Sequence, residues 1–527
     1  MIRRRLLTGV CGNLATKVIV VGTWFLLTPF LLDKLGPAGY ALWVLLTSIA
    51  WYGFLLDAGI GGAVVKYIAE HVARGERQKA RELVVSAVWV FTGLAVVALV
   101  LGALVAPILP GILGVASDDR QQAAWLIVMT GVNVAITIGM TPSFAVLHGL
   151  QRYDLYNGAH IVATFTEAAA VVAALLAGGG LTGMVAAFIP ANVVTCCLAA
   201  WLVRRTAPDL RVRWRGATRE AFRKIAHFSG PLFVMEFSGR LQTRTDEFII
   251  AFFRPLAAVT PYALARKLAE LSEAVVAQCV KVMMPLASEL HAGADIAKLQ
   301  RFYIAASRMA IGICMPACIV LVFLGGQVLA LWVGPSYAEY GPLVAVLAIA
   351  YLCRSSQRPA VEILLGMARH RVIAATALAS GIANVALSIL LLPLIGLLGV
   401  AVATLIPSAF AMACVVMPFA NRSLHVTWQR AMREIWVPAV LPAGIAAALL
   451  WTVQRHLKLD TVALVVAGAV VTALVYAMGY MSMRAAGPER RLLGDLATGA
   501  ARRLRQLQRR PSNVGADITS EPVKEAV

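Results

Sequence analysis

Hydrophobic residues in this chain come in runs of about twenty, broken by short polar gaps. A helix of that length spans roughly 30 Å of hydrocarbon at about 1.5 Å per residue. The pattern predicts an all-α polytopic membrane protein with about fourteen transmembrane helices. The spans are residues 9–32, 38–66, 83–106, 122–147, 156–178, 183–203, 228–253, 256–283, 303–331, 342–365, 372–394, 396–420, 434–455 and 461–483. Basic residues favour alternate gaps: Arg3 to Arg5, then Arg74, Arg77, Lys79 and Arg81, then eight between Arg204 and Lys224, then Arg369 and Arg371, then Arg422, Arg430 and Arg433. The other gaps hold few, namely Lys34, Arg120, Arg254, Arg455 and Lys458. Such a bias marks the cytoplasmic side, so both termini are expected in the cytoplasm. The first apolar run is of full span length with no small-residue cleavage site after it, so no cleaved signal peptide is expected.

Span 228–253 departs from the pattern, because it carries Glu236, Arg240, Arg244, Asp246 and Glu247. On one continuous helix Glu236, Arg240, Arg244 and Glu247, spaced by 4, 4 and 3, share a face. Charges at this depth must look at protein or at a water-filled cavity. They form either a stripe of internal salt bridges that fixes helix packing or the wall of a polar path. Span 256–283 adds Arg266, Lys267, Glu270, Glu273 and Lys281, and span 342–365 adds Arg354, Arg358 and Glu362. In the first half, Lys17 lies in the first span, and Asp57 and Lys66 lie in the second. Asp57 precedes Gly59, Gly61 and Gly62, which suggests a kinked or closely packed helix. Asn157, His160, Thr164 and Glu167 share one face of the fifth span. A lone intramembrane carboxylate is costly when ionised, so Glu167 either binds a proton during function or tethers two helices.

Composition sharpens this picture. The chain has 527 residues, 60% of them hydrophobic and only 14% charged, where a soluble domain carries about 25%. The formal net charge of +20 is mostly the topological signal spread over many loops, which argues against a nucleic-acid partner. Eight cysteines, Cys11, Cys196, Cys197, Cys279, Cys314, Cys318, Cys353 and Cys414, lie inside predicted spans and read as packing residues, with no disulfide framework and no metal site. No nucleotide-binding loop, zinc spacing or other cofactor motif occurs. Asp118 and Asp119 read as a solvated turn. No enzyme activity is expected.

The chain also repeats itself. Tyr40-Ala41-Leu42 is echoed by Tyr262-Ala263-Leu264, the Gly149–Arg152 turn by Gly366–Arg369, Gly183 by Gly399 and Pro190 by Pro407. The offsets are all close to 220 residues, and an even number of spans lies between, which predicts a parallel internal repeat. The expected organisation is a six-helix lobe over 1–203, a basic connector over 204–227, a second six-helix lobe over 228–420 and two further helices within 421–484. A tail follows over 485–527, with an amphipathic helix at 487–510 lying on the inner leaflet and a disordered end.

Three motifs in the first half carry a resemblance: Leu35-Gly36-Pro37-Ala38-Gly39-Tyr40-Ala41-Leu42-Trp43, Leu56-Asp57-Ala58-Gly59-Ile60-Gly61 and Val65-Lys66-Tyr67-Ile68-Ala69-Glu70. In the second half they are joined by Thr260-Pro261-Tyr262-Ala263, Trp332-Val333-Gly334-Pro335-Ser336-Tyr337, and Gly366 to Arg371 with Asn384. Over residues 5–420 the chain resembles polysaccharide transporters of the MOP superfamily, the Wzx-type flippases for O-antigen and exopolysaccharide units. The resemblance implies two six-helix lobes, two further helices and alternating access. It also implies an undecaprenyl-diphosphate-linked oligosaccharide as cargo, coupling to H+ or Na+, and a bacterial inner membrane. Polymerase and glycosyltransferases of the same pathway would be partners. On this reading Arg240, Arg244, Arg266, Lys267, Arg354, Arg358, Lys17 and Lys66 hold the anionic cargo. Glu167, Asp57, Glu236, Asp246, Glu247 and Glu270 balance them and offer ion-coupling sites, while the polyprenyl tail stays in lipid between the lobes. The rivals are a MATE-like multidrug or cation antiporter, which would favour an acidic, aromatic cavity, and a membrane organiser that recruits synthesis enzymes.

Overall fold

A computed structural model describes residues 2–57, 59–112, 115, 117–210, 216–280, 283–293, 295–457 and 460–483. Lys281, part of the basic connector and the expected amphipathic tail lie outside the described residues. Nineteen α-helices run in order: α1 (Ile2–Gly53), α2 (Ile60–Ala73), α3 (Arg77–Val105), α4 (Leu109–Ile112), α5 (Arg120–Gly149), α6 (Tyr153–Leu176), α7 (Gly180–Thr206), α8 (Arg219–Arg244), α9 (Asp246–Phe253) and α10 (Val259–Val280). They continue as α11 (Met283–Ala292), α12 (Ile296–Val333), α13 (Gly341–Gly366), α14 (His370–Ile395), α15 (Leu397–Phe410), α16 (Met417–Ser423), α17 (Trp428–Ala431), α18 (Val437–His456) and α19 (Val462–Ser482). Among the described residues there is no strand.

Among the described residues, eleven helical stretches are long and apolar enough to cross a membrane. That number is lower than fourteen for two reasons. The two arms of α1, which meet at the non-helical Gly36 (φ 66°, ψ 173°), run together as one stretch. The helices α8–α9 and α10 carry too many charges for an apolar window. With these restored, every predicted span has its helix, and the fold is a polytopic all-α membrane protein. Large apolar side chains such as Leu104, Leu176, Leu394 and Met478 point outward, as a lipid-facing surface requires.

Two predicted spans are broken. The second is interrupted by a tight turn at Phe54–Leu56, after which Gly59 takes the left-handed conformation (φ 77°) and α2 begins, as the glycines beside Asp57 suggested. The span 228–253 is not one helix either. It bends at Thr245, where α8 ends and α9 begins. At the bend Tyr52 from α1 hydrogen-bonds the Thr245 hydroxyl. Asp246 and Glu247 then open α9, where the helix dipole favours carboxylates.

The internal repeat is visible in backbone detail. Gln151 and Ala368 both adopt positive φ, 57° and 59°. Each is flanked by the same pair of turn bonds: Arg152 N to Leu147 O at 3.0 Å, and Arg369 N to Leu364 O at 2.8 Å. The preceding glycines let helices cross closely. A Cβ on Gly149 would lie 2.9 Å from Ile68 on α2, and one on Gly366 would lie 2.8 Å from the Met284 carbonyl on α11. Gly102 meets Gly131 where α3 crosses α5, and Gly326 meets Gly341 where α12 crosses α13. Small residues at such crossings let backbones pack where lipid gives no hydrophobic drive.

The buried cores are distributed unevenly along the membrane normal. One cluster joins both halves of the sequence, with Leu31, Tyr40, Val44 and Leu45 packed with Val259, Tyr262, Leu343 and Leu347. It lies toward the end opposite the basic loops. Two further cores are each confined to one half of the sequence, one built from residues between Val64 and Ala221 and another from residues between Ala287 and Tyr480. Proline explains part of the joint. Pro29 has no N–H to give the Phe25 carbonyl, and the Trp332 indole on α12 donates to that carbonyl instead, at 3.2 Å. Thr260 donates to the Pro37 carbonyl at 2.6 Å. Helix α8 passes between the halves: Thr218, at its start, donates its backbone N–H to Ser86 on α3, and further along Gly381 of α14 lies against Ser238 and Leu241. The last two helices, α18 and α19, pack on α12, with Tyr480 against Gly312.

Gly366→Leu is expected to destabilise the protein by about 1–3 kcal/mol, because the crossing of α13 over α11 has no room for a side chain. Gly444→Leu, at a glycine with nothing within 4 Å of an added Cβ, is expected to be neutral. Thermal unfolding of both variants in the same detergent checks the contrast.

Candidate functional site

The charged residues of α8, α9, α10 and α13 converge into a network on the second half. Glu247 is fully buried and its carboxylate lies 2.7 Å from the Arg266 guanidinium. The contact is ionic, since neither Glu247 oxygen receives a hydrogen bond of good geometry. One turn further along α10, Glu270 pairs with the same Arg266 and accepts from the Tyr351 hydroxyl at 3.2 Å. Arg244 reaches Glu270 from α8 at 3.9 Å. Glu273, three residues on, accepts from Arg358 Nε at 2.6 Å and lies 3.9 Å from Arg354. Arg240 pairs with Glu236 at 3.3 Å, where the Glu236 side chain is 57% exposed.

The network is not closed on itself. Arg240 Nε, Arg244 Nε, Arg266 Nε and Arg354 Nη1 are shut off from solvent and have no acceptor. A buried donor left unmet costs about 1–3 kcal/mol, and four guanidinium groups share this condition on one wall. The planar fork of guanidinium suits phosphate and carboxylate better than an ammonium does. The wall therefore holds buried guanidinium donors without acceptors beside a Glu247 carboxylate whose oxygens also lack donors.

Asp246 stands apart from the arginines. It is 2% exposed and accepts from three hydroxyls: Tyr262 at 2.5 Å, Ser388 at 3.1 Å and Thr404 at 3.1 Å. Asn384 donates to Thr404 at 3.1 Å, and its own carbonyl oxygen is buried without a donor. The result is an oxygen-lined cage between α9, α10, α14 and α15, with no basic side chain paired to the carboxylate among the described residues.

The remaining candidates are scattered. Lys267 leaves the wall and donates to the Trp24 carbonyl at 3.0 Å and to Thr28, which fastens α10 to α1. Asp57 caps α2 by accepting from Gly61 N at 2.7 Å. Lys17 and Lys66 are exposed on the first half, Lys66 beside the Tyr67 ring. Glu167 is half-buried on α6 with no ion pair or hydrogen bond among the described residues. Its neighbours on that face have other duties. Asn157 donates to Asn13 at 2.8 Å, Thr164 bonds its own backbone, and His160 packs with Phe144 and Tyr156.

Several members of the site were not singled out from sequence: Tyr262, Ser388 and Thr404 around Asp246, Tyr351 on Glu270, and Trp51 and Tyr52 against α8. The available signal was a pair of polar residues four apart in apolar runs, Asn384 with Ser388 and Thr404 with Ser408.

These features define a transporter-like membrane fold with a charged wall between two groups of helices. Comparison with known proteins agrees. A family model described as polysaccharide biosynthesis protein matches residues 6–291, and the chain belongs to that family. A Shigella flexneri protein named as an O-antigen transporter is 22% identical over 315 residues, covering 58% of this chain and 72% of the relative. Among solved structures, the lipid II flippase MurJ in an inward closed conformation aligns with TM-score 0.69 at 12% identity, covering 90% of this chain and 98% of that one. An inward-facing multidrug resistance MATE family transporter of the MOP superfamily aligns with TM-score 0.67 at 15% identity, covering 79% and 94%. A MOP superfamily transporter from Pyrococcus furiosus aligns with TM-score 0.58 at 15% identity, covering 79% and 95%. The fold is therefore that of the MOP superfamily.

Glu247→Ala is expected to destabilise the protein by up to about 3 kcal/mol, less than a fully stranded buried charge costs, because Arg266 loses its fully buried partner and keeps Glu270. Glu236→Ala, at an exposed pair, is expected to cost less than about 1 kcal/mol. Denaturant titration in micelles, with both variants beside wild type, compares the two.

Proposed function

We propose that the protein moves a polyprenyl-diphosphate-linked oligosaccharide across a bacterial inner membrane by alternating access, with residues 1–203 and 228–420 acting as the two lobes. The observation that carries this reading is the wall of Arg240, Arg244, Arg266 and Arg354, each with a buried N–H lacking an acceptor. A diphosphate supplies acceptors of the right charge and shape, and a hydrated glycan cannot cross hydrocarbon unaided. The core shared by both halves lies toward the far side and supports a state closed there. With the basic loops in the cytoplasm, cargo made by glycosyltransferases enters there and leaves toward the opposite face, where a polymerase acts on it. The protein is read as a carrier with no bond-making step of its own. The unmet guanidinium donors weigh against a multidrug antiporter, whose cationic substrates they would repel.

Coupling to an ion gradient is part of the proposal. The Asp246 cage offers one carboxylate among hydroxyl and amide oxygens, which suits H+ or Na+ and falls short of the carboxylate count of a divalent site. Its position between α9, α10, α14 and α15 links ion binding to the bend at Thr245. Glu167 is the second coupling candidate, as a half-buried carboxylate with no partner of either sign.

Arg240→Ala and Arg244→Ala are expected to abolish complementation of a flippase-deficient strain while membrane insertion stays normal; complementation at equal expression would refute the anion-wall role. In proteoliposomes with an imposed pH or Na+ gradient, Asp246→Asn and Glu167→Gln are expected to keep binding and to lose gradient-driven transport. A variant that retains wild-type gradient dependence removes its residue from the coupling scheme.

A further inference from the structure

Trp51 belongs to the end of α1, in the first half of the chain, yet its indole carries two guanidinium groups of α8. Arg240 lies 4.5 Å from the Trp51 ring centroid and Arg244 lies 5.3 Å from it. Both distances are within cation–π range. The two arginines are one helical turn apart, so their side chains lie side by side on one face. Trp51 remains 37% exposed, and no other described residue stacks on both groups.

The contact explains an anomaly in the hydrogen bonding. The Nε atoms of Arg240 and Arg244 are buried without an acceptor. Both guanidinium groups lie against the indole face, a weak electrostatic complement to their charge. Each arginine spends one terminal nitrogen on a glutamate, Arg240 on the exposed Glu236 and Arg244 on Glu270 at the long distance of 3.9 Å. Among the described residues, no hydrogen bond is made by Nη1 of either arginine. Two guanidinium groups are therefore held together, against their mutual repulsion, by an aromatic surface from the opposite half.

We infer that Trp51 is a positioning residue that sets Arg240 and Arg244 as a matched pair for the two phosphates of a diphosphate-linked lipid. The inference rests on the flippase reading and adds to it a specificity for diphosphate over monophosphate. It also places the seat across both halves of the chain: Trp51 and Tyr52 come from α1, while the arginines and Thr245 come from α8 and its bend. A cargo seated there touches both halves at once, as alternating access needs.

The test uses the full-length protein in nanodiscs, with undecaprenyl diphosphate and undecaprenyl monophosphate as probes. Wild type is expected to bind the diphosphate with a preference of about tenfold or more. Trp51→Leu is expected to lose most of that preference, and Trp51→Phe, which keeps a π face, to retain it. A purely space-filling role predicts instead that Leu and Phe behave alike, and that result overturns the inference. Equal preference in wild type and Trp51→Leu overturns it as well. If wild type binds neither lipid, the flippase reading itself falls and takes the inference with it. Thermal unfolding of each variant confirms that the comparison is made on folded protein.

Discussion

A charge inside a layer of hydrocarbon thickness must be answered by another charge or by hydrogen bonds, because the medium supplies neither. In this protein that condition organises the second half. Glu247 and Arg266 answer one another in the interior, Glu270 extends the pair toward Arg244 and Tyr351, and Glu273 gathers Arg354 and Arg358. Helices α8, α9, α10 and α13 hold their relative positions through this chain of charges. Beyond the bend at Thr245, Asp246 lies in a cage of hydroxyls while Glu247 faces an arginine; neighbouring helical residues point about 100° apart, so the two carboxylates reach different partners.

Buried ion pairs by themselves are weak evidence for function, since they often do no more than hold helices in register. In this wall buried donors without acceptors lie on α8, α10 and α13, while the Glu247 oxygens on α9 lack donors. The first half contributes few charges to the wall. Its contribution is aromatic and backbone: Trp51 under two guanidinium groups, Tyr52 on Thr245, and the carbonyls of Trp24, Phe25 and Pro37 that receive donors from the second half. The two halves thus repeat in backbone and diverge in chemistry.

Proline and glycine do much of the work of joining them. Pro29 frees a carbonyl in mid-helix, and Trp332 uses it to fasten the far end. Gly36 breaks α1 into two arms, and Gly149 and Gly366 allow matching close crossings in the two halves. The joint at the far end is apolar and shared, whereas two other cores belong to one half or the other. A rocking motion that exchanges which end is sealed would leave the separate cores intact.

The amino-acid sequence by itself determined the class of the protein, the helices that make its predicted spans, the recurrence of its turns and the list of charged spans. Each of these depends on local periodicity or on an offset along the chain, such as the 3.6-residue face of Glu236, Arg240 and Arg244 or the recurrence of Tyr40-Ala41-Leu42 as Tyr262-Ala263-Leu264. The partners of those charges were decided only in three dimensions. Lys267 and Arg266 are adjacent in sequence, yet one serves the seam with α1 and the other the buried pair with Glu247, because neighbouring residues on a helix point about 100° apart. Asp246 and Glu247 part company for the same reason, sharpened by the bend. Asp57 is one of several intramembrane charges in sequence, and in space it accepts from the Gly61 N–H at the start of α2. The hydroxyls around Asp246 come from residues 16, 142 and 158 positions away, and no pattern along one chain specifies which distant polar side chains will meet.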